Sequence, residues 1–548
     1  MIEILTHNMA PLMLVALIFL LMSGYPVAFG LSATGLLFAV IGIELGMFGE
    51  NFLRALPDRI LGVMANETLL AIPFFTFMGI VLQRSRMAED LIDTIAQLLG
   101  SLRGGVAYAV LFVGALLAAT TGVVAASVIS IALIALPVML RYGYDRRLAS
   151  GIIMASGTLA QTIPPSIILI VLADQFGRSV GDVYRGAMVP ALLLVVLYGL
   201  YIFVLTRLRP EAAPAVPPEA QHLREPDGRL GLPSLLACLA GLALGIAGAV
   251  LALGWLVPQM RTIDAQVYGT GLAVLGCYLF AQANGRLKLN LLSRMAEAVI
   301  VSLIPPLALI FLVLGTILLG IATPTEGGAM GAVGALILAG SKGRLDWPAL
   351  KDSVQQTAQL ATFVIFVLIG SRVFALTFYG LNGHVWVEEL LLAMPGGVIG
   401  FLVFTNLLVF VLGFFLDFFE IAFILIPLVA PAAETLGIDL IWYAVMLAVN
   451  LQAAYLTPPF GFALFFLRSV APRDDYEDRV TGRSIAGVST AEIYRAGLAF
   501  VALQVVMIGL LIAFPQMVLH YKGPAVDAAD VKIDIPIGDD PFGPTLGF

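Results

Sequence analysis

The sequence predicts an all-α polytopic membrane protein made of two inverted-topology repeats, each with a re-entrant hairpin and a broken helix. Three observations predict it. Of 548 residues, 60% are apolar and 12% charged, too little charge to cover a soluble protein of this size. Several continuous apolar stretches exceed the roughly 20 residues that span a bilayer as a helix, and continuity rather than alternation excludes a β-barrel. One pattern also occurs twice. The first copy is an arm from Gly104, a polar break at Thr120-Thr121-Gly122, an arm to Pro137, then Gly143-Tyr144-Asp145 and Thr162-Ile163-Pro164-Pro165. The second is an arm from Gly396, Gly413 with Asp417, an arm to Pro427, then Gly437-Ile438-Asp439 and Thr457-Pro458-Pro459. The shift between copies is 292 at Gly104 and Gly396, 291 at Gly122 and Gly413, 290 at Pro137 and Pro427, and 294 at the proline pairs.

In order, the first repeat (1–206) opens with spans at Ala10–Gly24 and Ala28–Phe48, a mixed interfacial stretch at Asn51–Met64, and a span at Thr68–Leu82. Met87–Leu99 sets Glu89, Asp90 and Asp93 among leucines and isoleucines, the pattern of a surface-lying helix. Residues 104–141 form a hairpin that enters and returns on one side. Residues 147–177 form a single crossing broken at Thr162–Pro165, and Tyr184–Leu205 is the last span. Residues 207–231 are a cytoplasmic linker rich in Pro, Ala and Glu, and 232–294 carry two inserted spans. The second repeat (295–520) contains Ala296–Leu319, Gly328–Leu338, Ala358–Tyr379, a hairpin (396–431), a broken helix (440–468) and Ile493–Val518. Residues 521–548 are an acidic periplasmic tail. The N-terminus lacks a cationic leader pattern, so the first helix is expected to be retained. Cys238 and Cys277 lie in no metal or redox motif and are expected to pack.

Five crossings per half, with the hairpins adding none, put 21 of the 29 Lys and Arg on one side and 7 on the other; Arg372 falls inside a span. Cytoplasmic loops carry the positive excess, so both termini are expected on the periplasmic side. An odd crossing number inverts the second half. Repeat with inversion is the architecture of secondary transporters.

The breaks are the expected site. Broken backbone inside a bilayer is tolerated only where it is buried in protein or lines a cavity. Half-helix ends favour ions, and freed carbonyls can coordinate sodium. A proline cannot donate a helical hydrogen bond, so carbonyls one turn before each proline pair are freed. The sodium candidates are therefore Thr120, Thr121, Gly122, Ala160, Thr162 and Pro164 in the first half, and Gly413, Asp417, Ala454, Thr457 and Pro458 in the second. The bland alternatives are a simple kink at each proline pair and hydroxyls bonded back to their own helix; coincidence of breaks and tips in both halves argues against them. Ser127, Thr158, Ser166, Arg372 and Asn450 are candidates for substrate contact. Asp417 is an intramembrane carboxylate, costly and so a functional candidate, with a structural hydrogen-bond role as the alternative. Glu326 is expected to cap a helix, Asp474–Asp478 to be a solvated face, and His222 and His384 have no metal-ligand spacing. No metal other than sodium is expected.

The motifs Thr323-Pro324-Thr325-Glu326, Gly413 through Asp417 to Pro427, Leu456-Thr457-Pro458-Pro459-Phe460-Gly461, Gly143-Tyr144-Asp145 and Gly157-Thr158-Leu159 through Ile163-Pro164-Pro165-Ser166 fall in order along the chain. With them the chain resembles the DctM-like large membrane subunit of tripartite ATP-independent periplasmic (TRAP) transporters, over about residues 10–205 and 295–515. The resemblance implies a sodium-driven importer of a small organic anion working by an elevator movement in the bacterial inner membrane. Hairpins and broken helices would form the moving domain and the other spans its scaffold. It also implies two partners: a small four-helix membrane subunit and a periplasmic substrate-binding protein. No segment resembles a fused small subunit, and the two inserted spans depart from the common pattern. Many members carry Ser-Gly-Ser-Ser at the first tip. Here Thr120-Thr121-Gly122-Val123-Val124 offers fewer hydroxyls and is similar to a branch associated with 2-oxo acids, lactate and similar small acids.

Two other classes compete. One is a sodium/dicarboxylate-type carrier of the same wider fold that works without a binding protein. The other is an integral-membrane enzyme, but no HExxH, paired DxxD or glycine-rich phosphate loop is present, so no catalytic residue, no cofactor beyond Na+ and no nucleic-acid partner are expected. The first tip is expected to approach from the cytoplasm and the second from the periplasm, each meeting the proline pair of its own half.

Overall fold

A computed structural model describes residues 6–223, 225, 231–258, 261–289, 291–478 and 480–522; of Thr120, Thr121 and Ile263 it describes the backbone alone. The chain opens with Met9–Met22 (α1), Val27–Glu44 (α2), Leu56–Met64 (α3), Ala71–Arg84 (α4) and Met87–Leu99 (α5). Gly105–Thr121 (α6) and Val124–Arg141 (α7) make the first hairpin. Arg146–Thr158 (α8), a 3-10 turn at Leu159–Gln161 and Ile167–Gln175 (α9) make the first broken helix, and Val180–Leu208 (α10) closes the half. Leu232–Leu256 (α11) and Thr262–Leu287 (α12) are the insertion. The second half runs Arg294–Leu318 (α13), Pro324–Ser341 (α14), Trp347–Gly380 (α15), Gly383–Leu392 (α16), the hairpin Gly397–Leu412 (α17) and Phe418–Thr435 (α18), the broken helix Leu440–Leu456 (α19) and Phe462–Val470 (α20), then Thr490–Ala513 (α21) and Gln516–Leu519 (α22). A two-strand ribbon, Tyr476–Glu477 (β1) with Ser484–Ile485 (β2), bridges α20 and α21.

The duplication is built into the backbone. Left-handed residues punctuate both halves at matching places: Arg86 (φ 54°) before α5 and Asn382 (φ 55°) before α16, Gly104 (77°) and Gly396 (96°) at the hairpin roots, Gly143 (79°) and Gly437 (70°) before the broken helices. Two residues after those last glycines an aspartate caps each broken helix. Asp145 accepts from the amides of Arg147 (2.8 Å) and Leu148 (3.0 Å), and Asp439 from those of Ile441 (2.9 Å) and Trp442 (3.2 Å). Such caps satisfy amides that have no partner inside the helix. The repeat therefore includes α16 as the counterpart of α5.

Some boundaries differ from expectation. α6 stays helical through Thr121, so the helix breaks at Gly122-Val123, later than the expected break at Thr120–Gly122 and within the expected tip at 120–126. α15 starts at Trp347, well before Ala358, because Asp346 caps it through the Ala349 amide at 2.8 Å. α13 runs straight through Pro305-Pro306, so a proline pair does not by itself end a helix here. Among the described residues nine helices are long and apolar enough to cross a membrane. That set includes the hairpin arms α7 and α18 and omits both broken helices, whose pieces are 13 and 9 and 17 and 9 residues long. Every described ion pair joins residues from loops assigned to one side. Arg84–Asp352, Lys342 and Arg344 with Asp90, and Arg146–Glu492 lie on the arginine-rich side, and Arg178–Glu434 and Lys522–Asp439 on the other. The expected tail lies outside the described residues from 523 onward.

The expected solvated face at Asp474–Asp478 holds for Asp474, Asp475 and Glu477, which are exposed, and fails at Asp478. Asp478 is only 5% exposed. It accepts a two-pronged bond from Arg141, at the foot of the first hairpin, at 2.9 to 3.1 Å, and one from Thr481 Oγ1 at 2.6 Å. Arg141, then Thr481, hold its carboxyl down at about 2. The unfolded value is about 3.9, so the pair stabilises the fold above about pH 4, and that contribution is lost as pH falls through about 2. Arg141→Gln is expected to lower the thermal midpoint near neutral pH by several degrees, with the gap to the parent closing between about pH 4 and about pH 2. A gap that stays constant across that window contradicts the assignment.

Candidate functional site

The site starts from what proline takes away. Pro164 and Pro165 deny helical donors to the carbonyls of Ala160 and Gln161. The Gln161 carbonyl takes Ser166 Oγ instead, at 2.9 Å. In the second half Pro458 and Pro459 free the carbonyls of Ala454 and Tyr455. The Ala454 oxygen accepts the Thr457 amide in a tight turn at 3.1 Å, and Thr457 Oγ1 donates back to Ala453 at 2.9 Å. Both Pro-Pro peptides are cis.

Each hairpin tip packs on the break of its own half. A Cβ added to Gly413 would stand 2.6 Å from Ala454 Cβ, and one added to Gly122 would stand 2.8 Å from Ile167 Cγ1, at the start of α9. The first hairpin is equally tight along its arms: added Cβ atoms at Gly114 and Gly157 would meet Ser156 Cβ at 2.4 Å and Val128 Cγ2 at 2.5 Å. The side chains of Thr120 and Thr121, two of the sodium candidates, lie outside the described residues.

Asp417 ties the second tip down. It precedes α18, and Glu420 three residues on closes a capping box by accepting from the Asp417 amide at 2.9 Å. Tyr455 on α19 donates its hydroxyl to Asp417 Oδ1 and accepts the Phe418 amide at 3.1 Å. The sequence reading missed both Glu420 and Tyr455, although an acid three residues after a capping aspartate is a legible signature.

Between the two broken helices lies a buried polar network centred on Gln452. Its Oε1 accepts from Thr162 Oγ1 at 3.2 Å, and its Nε2 donates to Thr158 Oγ1 at 3.3 Å and to the Tyr198 hydroxyl at 3.2 Å; Gln504 donates to the same hydroxyl at 2.8 Å. All five residues are buried. Thr158 and Gln452 are 294 apart, the spacing of the proline pairs and of the capping aspartates, so they are equivalent positions in the two repeats. Equivalent residues that touch must lie on the pseudo-twofold axis relating the repeats. The network marks that axis, and both breaks flank it.

The substrate candidates separate. Thr158 is held in this network and donates to Ala155 at 2.9 Å. Ser166 bonds the break, and its own carbonyl accepts the Tyr184 hydroxyl at 3.3 Å. Ser127 donates back to Val123 at 3.1 Å. Asn450 donates to the carbonyl of Asn406 on α17 at 2.6 Å and to its side chain at 3.1 Å. Arg372 belongs to α15, outside the hairpins and broken helices; among the described residues it makes no ion pair. Its helix does hold the second hairpin. Ser371 Oγ donates to the Phe423 carbonyl at 2.5 Å and the Tyr379 hydroxyl to the Pro427 carbonyl at 3.2 Å, the two carbonyls that Pro427 and Pro431 leave without helical donors.

Glu326 is the cap it was expected to be, closing a box with Thr323. Among the described residues no group of three His, Cys, Asp or Glu could hold a metal ion. The donors gathered at tips and breaks are carbonyl, hydroxyl and carboxylate oxygens, a set suited to a hard cation.

The family described as the tripartite ATP-independent periplasmic transporter, DctM component, matches residues 14–517. The C4-dicarboxylate TRAP transporter large permease protein DctM of Pseudomonas aeruginosa is 27% identical over 77% of this chain and 82% of its own. Its namesake in Vibrio cholerae is 25% identical over 84% and 90%, and the ectoine TRAP transporter large permease protein TeaC of Halomonas elongata 22% over 94% and 99%. The solved YdaH transporter of Alcanivorax borkumensis is similar over 86% of this chain and 89% of that one, at a TM-score of 0.49 and 15% identity. This chain belongs to the DctM family of large TRAP permease components.

Proposed function

We propose that this chain is the permease subunit of a sodium-coupled, binding-protein-dependent importer that brings a small organic anion across the bacterial inner membrane by an elevator movement. The observation that carries the reading is the packing of each tip on the break of its own half, on either side of the Gln452 axis. This gathers freed carbonyls and hydroxyls at two opposed places, as ion coupling needs. Hairpins and broken helices form the moving domain; α15 belongs to the scaffold and grips α18 at two carbonyls. Relatives named for C4-dicarboxylates support a small carboxylate as cargo, and the likeness of the Thr-Thr-Gly-Val-Val tip to a branch associated with 2-oxo acids and lactate favours a 2-oxo or 2-hydroxy acid. A small four-helix membrane subunit braces the scaffold, a periplasmic binding protein delivers the anion, and both termini face the periplasm.

Co-reconstituted with these partners, the protein is expected to take up the anion only with an inward sodium gradient and the binding protein present. Replacing sodium by choline should reduce initial uptake at least about tenfold, the effect of losing about 1.4 kcal/mol of coupling. Unchanged uptake in choline contradicts sodium coupling. Undiminished uptake without the binding protein points to the carrier that takes substrate directly.

A further inference from the structure

We infer that the foot of the first hairpin carries a binding site for a phosphate group, filled by the headgroup of an anionic phospholipid. The site lies at the end of α7 away from the tip, and it depends neither on ion coupling nor on the cargo.

The repeat builds one kind of cavity twice. The first is about 300 Å³ and lies between residues 140–146, where α7 gives way to α8, and residues 481–486, in and around β2. The second is about 390 Å³ and lies between residues 438–441, at the start of α19, and residues 177–182, at the start of α10. Tyr144 and Ile438 are 294 apart, as are Arg146 and Leu440, so these walls are equivalent positions in the two halves. Their charge differs. The second cavity sets Asp182 and Asp439 against Arg178 and Lys522 and is balanced. The first is lined by Arg141, Arg146 and Arg483 with the hydroxyls of Thr481 and Ser484, and among the described residues no carboxylate lines it.

Two of the three arginines are held in place by groups outside the lining. Asp478 takes Nε and Nη2 of Arg141. Glu492 stands 3.4 Å from Nε of Arg146, whose Nη1 donates to the Gly487 carbonyl at 2.9 Å. Each guanidinium keeps one terminal nitrogen, Nη1 of Arg141 and Nη2 of Arg146, without a bond among the described residues. Arg483 is exposed and makes no ion pair among the described residues. Three arginines against Asp478 and Glu492 leave one positive charge. A phosphodiester carries one negative charge, and its oxygens match the guanidinium fork. Arg141 ends an apolar helix, so the cavity opens at the membrane surface, on the side with the lysine and arginine excess. Basic pockets beside helices on that side bind anionic headgroups. A zwitterionic headgroup brings a cation of its own beside Arg483 and fits less well.

Native mass spectrometry of the full-length protein tests this, with phosphatidylglycerol or phosphatidylcholine titrated into protein released from detergent micelles. The parent protein is expected to bind one phosphatidylglycerol at least about tenfold more tightly than phosphatidylcholine, a difference of about 1.4 kcal/mol. Arg483→Gln removes the uncommitted cation and should bring the two lipids within about threefold of each other. Ser484→Asp, at an exposed position, puts a carboxylate into the cavity and should do the same. Arg495→Gln, at an exposed arginine on the same side of the membrane but outside the cavity, should leave the preference unchanged. Equal affinity for the two lipids in the parent overturns the inference, as does a preference that survives both Arg483→Gln and Ser484→Asp. An equal loss in Arg495→Gln and Arg483→Gln also overturns it, because the attraction then belongs to the charged face at large. Inorganic phosphate that displaces phosphatidylglycerol at equal concentration overturns the lipid as occupant and assigns the cavity to a free phosphate.

Discussion

Asp417→Ala is expected to abolish sodium-driven uptake. The substitution removes a helix cap, worth about 1 kcal/mol, and a charge-assisted bond from Tyr455, worth about 2 kcal/mol. It also leaves the Tyr455 hydroxyl and the Glu420 amide without their acceptor. A loss of about 3 kcal/mol lowers the population of the closed second tip about a hundredfold, and uptake should fall in proportion. Tyr455→Phe deletes only the hydroxyl and its bond of about 2 kcal/mol and should cost about thirtyfold, on the same scale. Both are measured as initial uptake at matched amounts of protein in proteoliposomes. If Asp417→Ala transports within about threefold of the parent, a difference under 0.7 kcal/mol, the second tip does not act through this carboxylate.

The largest effect on stability is expected at Gln452. Gln452→Leu keeps the volume roughly constant but removes one bond each from Thr158, Thr162 and Tyr198 at once, leaving them Ala155, Leu159 and Gln504 as remaining partners. A hydrogen bond between membrane helices is worth about 0.6 kcal/mol on average, but a buried group left unsatisfied costs about 1 to 3 kcal/mol. With three groups affected and Gln504 still serving Tyr198, a loss of about 2 to 3 kcal/mol is expected. Thermal unfolding in detergent measures it. Because the residue sits on the axis between the broken helices, Gln504→Leu, which touches only the rim of the network, should cost less than half as much. Equal losses from the two substitutions would contradict a network centred on the axis.

The fold was legible where it is written in backbone chemistry. Glycines with positive φ, capping aspartates and proline pairs act locally, so Gly143, Asp145 and Pro164-Pro165 and their partners 294 residues on announce the repeat without any tertiary information. The opposite holds for side chains whose meaning depends on a distant partner. Thr158 reads as a cavity hydroxyl in its own helix; the structure pairs it with Gln452, which no local pattern links to it. Tyr455 lies in a run of apolar residues, and only the folded hairpin brings Asp417 to it. Arg372 drew attention as a cation inside a span, yet its helix lies outside the hairpins and breaks. Asp478 looked like one of several solvated acids until the ribbon brought it to Arg141. Aligning the two halves at 294 sets Thr158 against Gln452 and Gln161 against Tyr455, but equivalence in a repeat does not say which residues touch.

Coupling at the meeting of tip and break is tested at Gly413. Its φ of −64° is open to any residue, so alanine there costs only space. That space is absent, because the new Cβ would stand 2.6 Å from Ala454 Cβ. Sodium-driven uptake should be measured for Gly413→Ala, Ala454→Gly and the double variant. Overpacking costs about 1 to 3 kcal/mol, so Gly413→Ala alone should reduce uptake about tenfold or more, and Ala454→Gly, by returning the space, should restore most of it in the double variant. Undiminished uptake in Gly413→Ala, or a double variant no better than that single one, would contradict the contact on which the account depends.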